Sequence, residues 1–132
     1  MSEPKPLTEE EVANWVREAY QAAISHLAVA GIVTEAVSDT ESRYLAPYIA
    51  VWKLKSNQNE WFWVTSGDVP TDHMRADSAT DARQAIQNFS LRWQLKAENI
   101  RNAGESDTAD AKKFESSAEM MYQAYEEQSL WQ

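Results

Sequence analysis

The chain has 132 residues, with 12 Lys and Arg against 21 Asp and Glu, a formal net charge of −9, no Cys and six Trp. That length suits one domain with its own core, and the missing cysteines exclude disulfide scaffolds, thiol nucleophiles and Cys-based metal sites. The acidic balance repels phosphate backbones and anionic lipid surfaces, so neither nucleic acid nor membrane is an expected partner.

Residues 1–7 carry two prolines and read as a flexible leader ahead of a single α+β domain over 8–132. The start has neither the basic nor the apolar segment of a secretory signal, and the longest apolar stretch, Leu27 to Val33, is far below the roughly 18 residues that cross a bilayer. A cytoplasmic protein is expected. Thr8-Glu9-Glu10-Glu11 is a capping-box pattern, which sets a helix start. Val12, Trp15, Val16, Ala19, Tyr20, Ala23, Ile24 and Leu27 keep helical spacing on one face, and Gly31 suits the residue past the helix end.

Ile32 to Arg43 lacks sustained periodicity and fits either a connection or a short edge strand. Tyr48 to Lys55 and Trp61 to Ser66 are β-branched, aromatic or alternating, and predict a β-hairpin around Ser56-Asn57-Gln58-Asn59. A four-residue loop there sets Trp52 opposite Trp63, Leu54 opposite Trp61 and Val51 opposite Val64. One face then carries Trp52, Leu54, Trp61 and Trp63, and the other Ile49, Val51, Lys53, Phe62 and Val64. The tryptophan face, free of charge, is the one expected under the first helix. A lone hairpin is marginal in water, so helices must cover it or a strand from residues 32–45 must join.

Gly67 to Asp77 reads as a loop. Ser78 can cap a second helix with the stripe Ala82, Ala85, Ile86, Phe89, Trp93, Ala97 and Ile100, ending near Gly104. Asp107 or Thr108 can cap a third, with Ala111, Phe114, Ala118, Met121, Tyr122 and Tyr125, folded antiparallel to the second. The expected architecture is therefore an N-terminal helix, a hairpin or small antiparallel sheet, and a C-terminal helical hairpin.

The densest polar cluster follows the second strand. Asp68, Asp72 and His73 can bind a divalent metal, or Asp72 can orient His73 as a general base, since both tasks set carboxylate beside imidazole. The structural reading of the same segment is a turn ordered by its own side-chain bonds, with no metal held. His26 lies on the first helix beside Ile24 and Leu27; only His73 could join it in a metal site, and because two histidines rarely suffice for catalytic zinc without a matching carboxylate, it reads as a boundary residue. Gly-x-Ser-x-Gly, His-Glu-x-x-His and Gly-rich phosphate loops are all missing, and no cofactor is expected.

Charge is uneven along the chain. Residues 1–41 hold 2 bases and 8 acids, whereas 42–76 hold 4 and 3, so the aromatic middle is nearly neutral. Tyr44, Tyr48, Lys53 and Phe62 are accordingly the candidate binding residues for a protein partner. Ile49, Val51, Phe62 and Val64 form an apolar outer face that predicts a two-fold homodimer. The competing arrangement is a three-layer monomer, with the C-terminal helices over that face.

Three segments carry a resemblance: Trp15 to Tyr20, Ser42 to Leu54, and Trp61 to Asp72. Together they resemble a bacterial family of small stand-alone proteins, the domain of unknown function numbered 4826. The resemblance implies a single-domain bacterial cytoplasmic protein and brings no activity, cofactor or site. The residues themselves favour a non-enzymatic protein-binding or regulatory module, immunity-like in character. The alternative is a small metal-dependent or acid/base hydrolase using Asp68, Asp72 and His73.

Overall fold

The computed structural model describes residues 6–103 and 109–131. Helix α1 (Glu9–Val29) begins at the expected capping box: the Thr8 hydroxyl accepts from the Glu11 amide while the Glu11 carboxylate accepts from the Thr8 amide. Gly31, at φ +83°, follows its end. Five antiparallel strands come next: β1 (Thr34–Val37), β2 (Arg43–Leu45), β3 (Ile49–Ser56), β4 (Trp61–Gly67) and β5 (Asp72–Arg75). Strands β1 and β2 pair with successive halves of β3, so they form one interrupted edge, and β5 forms the other. Residues 32–45 thus supply two strands, and the segment read as a loop after Gly67 contains β5.

Helices α2 (Ala82–Asn102) and α3 (Ala109–Glu126) complete the chain. The α2 cap is Asp81, whose carboxylate accepts from the Gln84 amide, and not Ser78. The expected stripe is otherwise sound: Ala82, Ala85, Ile86, Phe89, Trp93 and Ala97 are buried. Arg83 Nε donates to the Tyr125 carbonyl and Arg101 pairs with Glu115, which makes α3 antiparallel to α2. The expected caps Asp107 and Thr108 and the Gly104 linker lie outside the described residues, as do residues 1–5 of the leader. No helix among the described residues is long and apolar enough to cross a membrane.

The hairpin register differs from the expected one by a single residue. Trp52 pairs with Val64, Lys53 with Trp63 and Leu54 with Phe62. The reason is Asn59, which sits in the left-handed region at φ 63°. The Asn59 amide donates to the Ser56 carbonyl and the Ser56 amide to the Glu60 carbonyl, closing a three-residue loop of turn-plus-left-handed type in place of four residues. Because side chains alternate along a strand, a one-residue slip moves the partners of every residue to the other face.

Trp52 and Leu54 consequently pack under α1 with Ala50, Phe62 and Val64, against Ala19, Ala23 and Leu27. Trp63 lies on the opposite face, in a second core with Ile49, Val51, Met74, Phe89, Trp93 and Met121. The expectation that Trp52, Trp61 and Trp63 share the α1 face is overturned for Trp61 and Trp63. The molecule has three layers: α1, the sheet, and the α2–α3 pair. The apolar patch that motivated a homodimer is not there. Ile49, Val51, Phe62 and Val64 are divided between the two faces and all four are buried.

Candidate functional site

Two features collect the candidate residues, one on each side of the β1/β2 to β5 span. The first is an open cleft of about 640 Å³ between the N-terminal half of α1 and the β1/β2 edge. Its apolar lining comes from Leu7, Val12, Ala13, Val16, Tyr20, Val37, Tyr44 and Trp52, and its charged residues, Glu9, Arg17 and Asp39, are exposed. The cleft exists because α1 contacts the sheet through small residues, Ala19 and Ala23, farther along the helix, while its large apolar residues at the N-terminal end are only partly covered. Trp15 stands beside it, 6.4 Å between ring centres from Tyr44 and pressed on Gly67.

The sequence-predicted binding residues separate. Tyr44 and Tyr48 are 53% and 49% exposed, and Tyr44 lines the cleft. Phe62 is 7% exposed and belongs to the α1 core, so it presents no surface to a partner. Lys53 is tied down: its ammonium bonds Glu41 at 2.8 Å and lies within 5.5 Å of the Trp61 and Trp63 ring centres. That contact lowers the Glu41 carboxyl below its ordinary range, through the Lys53 and then the Ser38 hydrogen bond.

The second feature lies at the β5 edge. Asp72 and His73 are neighbours on a strand, so their side chains leave opposite faces. Asp72 turns toward α2, where its carboxylate accepts from Trp93 Nε1 at 3.0 Å and Arg92 Nη1 at 3.2 Å and lies 3.6 Å from Lys96 Nζ. It also accepts from the His73 backbone amide at 2.8 Å. His73 turns toward α1, where its Nδ1 meets His26 Nε2 at 2.9 Å. Arg92 crosses the edge and donates to the His73 carbonyl at 2.7 Å. The His73 imidazole is held below its ordinary pKa, first by burial and then by His26, with Asp72 acting in the opposite sense and Arg92 adding to the lowering.

This geometry rearranges the expected constellation. The Asp72 carboxylate takes the His73 amide and not its ring, so a carboxylate–imidazole dyad is not what the strand places here. Ligand atoms of His26, Asp72 and His73 all lie within 4.8 Å of one another, without Asp68. Asp68 is exposed, and its amide donates to the Tyr48 carbonyl. The preceding turn is ordered by Thr65, whose hydroxyl donates to the Pro70 carbonyl and accepts from the Asp72 amide. His26, which sequence reasoning weighs as a ligand beside His73 and sets aside for want of a matching carboxylate, does meet His73, with Asp72 as the nearby carboxylate. Its partner lies 47 positions away, and only the packing of α1 across β4 and β5 brings the two together.

Compared with known families, the sequence matches the one described as Domain of unknown function (DUF4826), over residues 9–131. Comparison with curated proteins and with solved structures found no match.

Proposed function

The chain belongs to the DUF4826 family, whose description gives no activity, and from geometry and charge we propose that it is a non-enzymatic, protein-binding module of the bacterial cytoplasm. The occupant of the α1–β2 cleft is a segment of another protein with two or three large apolar side chains and basic flanks. The observation that carries this reading is the cleft itself. It presents apolar and aromatic surface, with Tyr44 half exposed, where the acidic residues 1–41 meet the nearly neutral aromatic middle. Apolar anchors supply the contact energy in such grooves, and charge complementarity sets partner choice and encounter rate. A regulatory, immunity-like role fits a small acidic protein that acts by occupying a basic partner.

A hydrolase on Asp68, Asp72 and His73 would need those three side chains to converge. Asp68 stands apart from the group, and the Asp72 oxygens are engaged by Trp93, Arg92 and Lys96. The binding reading is tested with fluorescent peptides that carry leucines at helical spacing and flanking lysines, against a set with glutamates in place of the lysines. Basic peptides are expected to bind and acidic ones not to. Tyr44→Ala and Ala13→Glu, both at exposed cleft positions, should each weaken binding about tenfold without changing the melting temperature. Equal binding of both peptide sets, or binding indifferent to both substitutions, overturns the proposal.

A further inference from the structure

The β5 edge holds a second device, independent of the cleft. We infer that His26 Nε2 and His73 Nδ1, with a carboxylate oxygen of Asp72 as third donor, form a binding site for a late divalent transition metal such as Zn²⁺ or Ni²⁺.

Three layers meet at this point. His26 comes from α1, His73 and Asp72 from β5, and Asp72 is fixed by Trp93, Arg92 and Lys96 of α2. The two ring nitrogens face each other at 2.9 Å. Zinc–nitrogen bonds near 2.1 Å in tetrahedral geometry set two imidazole nitrogens about 3.4 Å apart, so the rings need to part by about half an ångström and tilt their lone pairs toward the ion. A hydrogen-bonded pair of neutral imidazoles has one proton between the facing nitrogens. When the metal takes both lone pairs, the donor ring shifts that proton to its other nitrogen, and the pair stays neutral. All three residues are half-buried, which leaves solvent access for the waters that complete the coordination.

Donor chemistry selects the ion. Two imidazoles and one carboxylate favour zinc, nickel or copper over magnesium or calcium, which take oxygen donors. The charges around Asp72 limit the affinity. Arg92 and Lys96 neutralise the carboxylate and oppose an incoming cation, so the two histidines supply most of the binding and the site is a moderate one. What the metal gains for the molecule is a clamp between α1 and the sheet edge. In the sequence, the turn after β4 is expected to hold no metal. The reassignment rests on His26, which stands outside that turn.

The test is calorimetric titration of the untagged, chelator-stripped full chain with ZnCl₂, NiCl₂ and MgCl₂ at neutral pH. One equivalent of Zn²⁺ or Ni²⁺ is expected to bind at concentrations of about 100 μM or below, with a rise in melting temperature and no uptake of Mg²⁺. His26→Gln and His73→Gln should each weaken the affinity about tenfold or more. Failure of the parent chain to take up either metal overturns the site, and so does uptake that both variants retain. Circular dichroism establishes that the variants are folded. Should His73→Gln not fold, His26→Gln, at a half-buried position of α1, decides alone.

Discussion

The two faces of the sheet are covered in different ways. On the α2–α3 face, Trp63, Phe89, Trp93 and Met121 interdigitate and are fully buried, and the Trp63 indole donates to the carbonyls of Ala76 and Ala79. On the α1 face a single helix presents two alanines and a leucine as its buried residues. The large residues Trp15, Val16, Tyr20 and Ile24 are left partly covered. Each face has one buried serine hydroxyl that donates to a helix carbonyl: Ser66 to Ala19, and Ser90 to Ala118. The difference lies in what each accepts: Ser66 takes the buried Trp52 indole at 2.9 Å, whereas Ser90 takes the side-chain amide of exposed Gln94 at 3.3 Å. The two-helix face is closed by large interdigitated side chains, whereas the one-helix face buries small helix residues and keeps spare apolar surface. Surplus area on one side of a three-layer protein is where a binding site is affordable, because exposing it does not open the main core.

Five substitutions break or sharpen that contrast. Trp63→Ala removes one of the two fully buried tryptophans of the closed face and is expected to cost about 3–5 kcal/mol in chemical denaturation. A loss below about 1 kcal/mol would show that this face is not the main core. Gly67→Ala acts on the other face. Gly67 has φ +103°, and a Cβ there would stand 2.7 Å from Trp15 and 3.0 Å from the Tyr48 carbonyl. A cost of about 1–3 kcal/mol is expected from backbone strain, together with a change in Trp15 fluorescence that Trp15→Phe abolishes.

The two serines compare the faces directly. Ser66→Ala leaves the buried Trp52 indole N–H without its acceptor, and a cost of about 1–3 kcal/mol follows. Ser90→Ala removes a donor to a helix carbonyl and should cost about 1 kcal/mol. Equal values for the two would remove the claim that the Trp52–Ser66 bond weighs more in its core than the Ser90 bonds do in theirs. The smallest effect belongs to Tyr44→Ala, expected within about 0.5 kcal/mol of the parent stability since the ring is half exposed. Its effect is on peptide binding, and a large stability loss would make Tyr44 a core residue and not part of a docking surface.

Much of the fold is legible because it is encoded locally. The Thr8–Glu11 box, the α1 stripe through Leu27 and the α2 stripe through Ala97 each lie within a short window, and helical period alone places them on one face. The candidate site is less so. Asp72 and His73 stand out as a polar pair after a strand, but the third member of the group is His26 and not the nearby Asp68, and the alternation of β5 turns Asp72 toward α2 and His73 toward α1 while their ligand atoms stay within 4.8 Å. His26 offers no local signal beyond a polar residue at the end of an apolar stripe.

The sequence by itself determined the helices, the two central strands, the acidic surface and the neutral aromatic middle, because periodicity, capping and charge are properties of short segments. Tertiary structure decided the rest. Asn59 adopts a left-handed conformation that sets a three-residue loop, and that one backbone choice sends Trp63 to the α2–α3 core while Trp52 stays under α1. Residues 34–37 and 43–45 became strands because β3 had an open edge to pair. The meeting of His26 with His73 required α1 to cross the sheet, a contact between residues 47 positions apart that no local pattern carries.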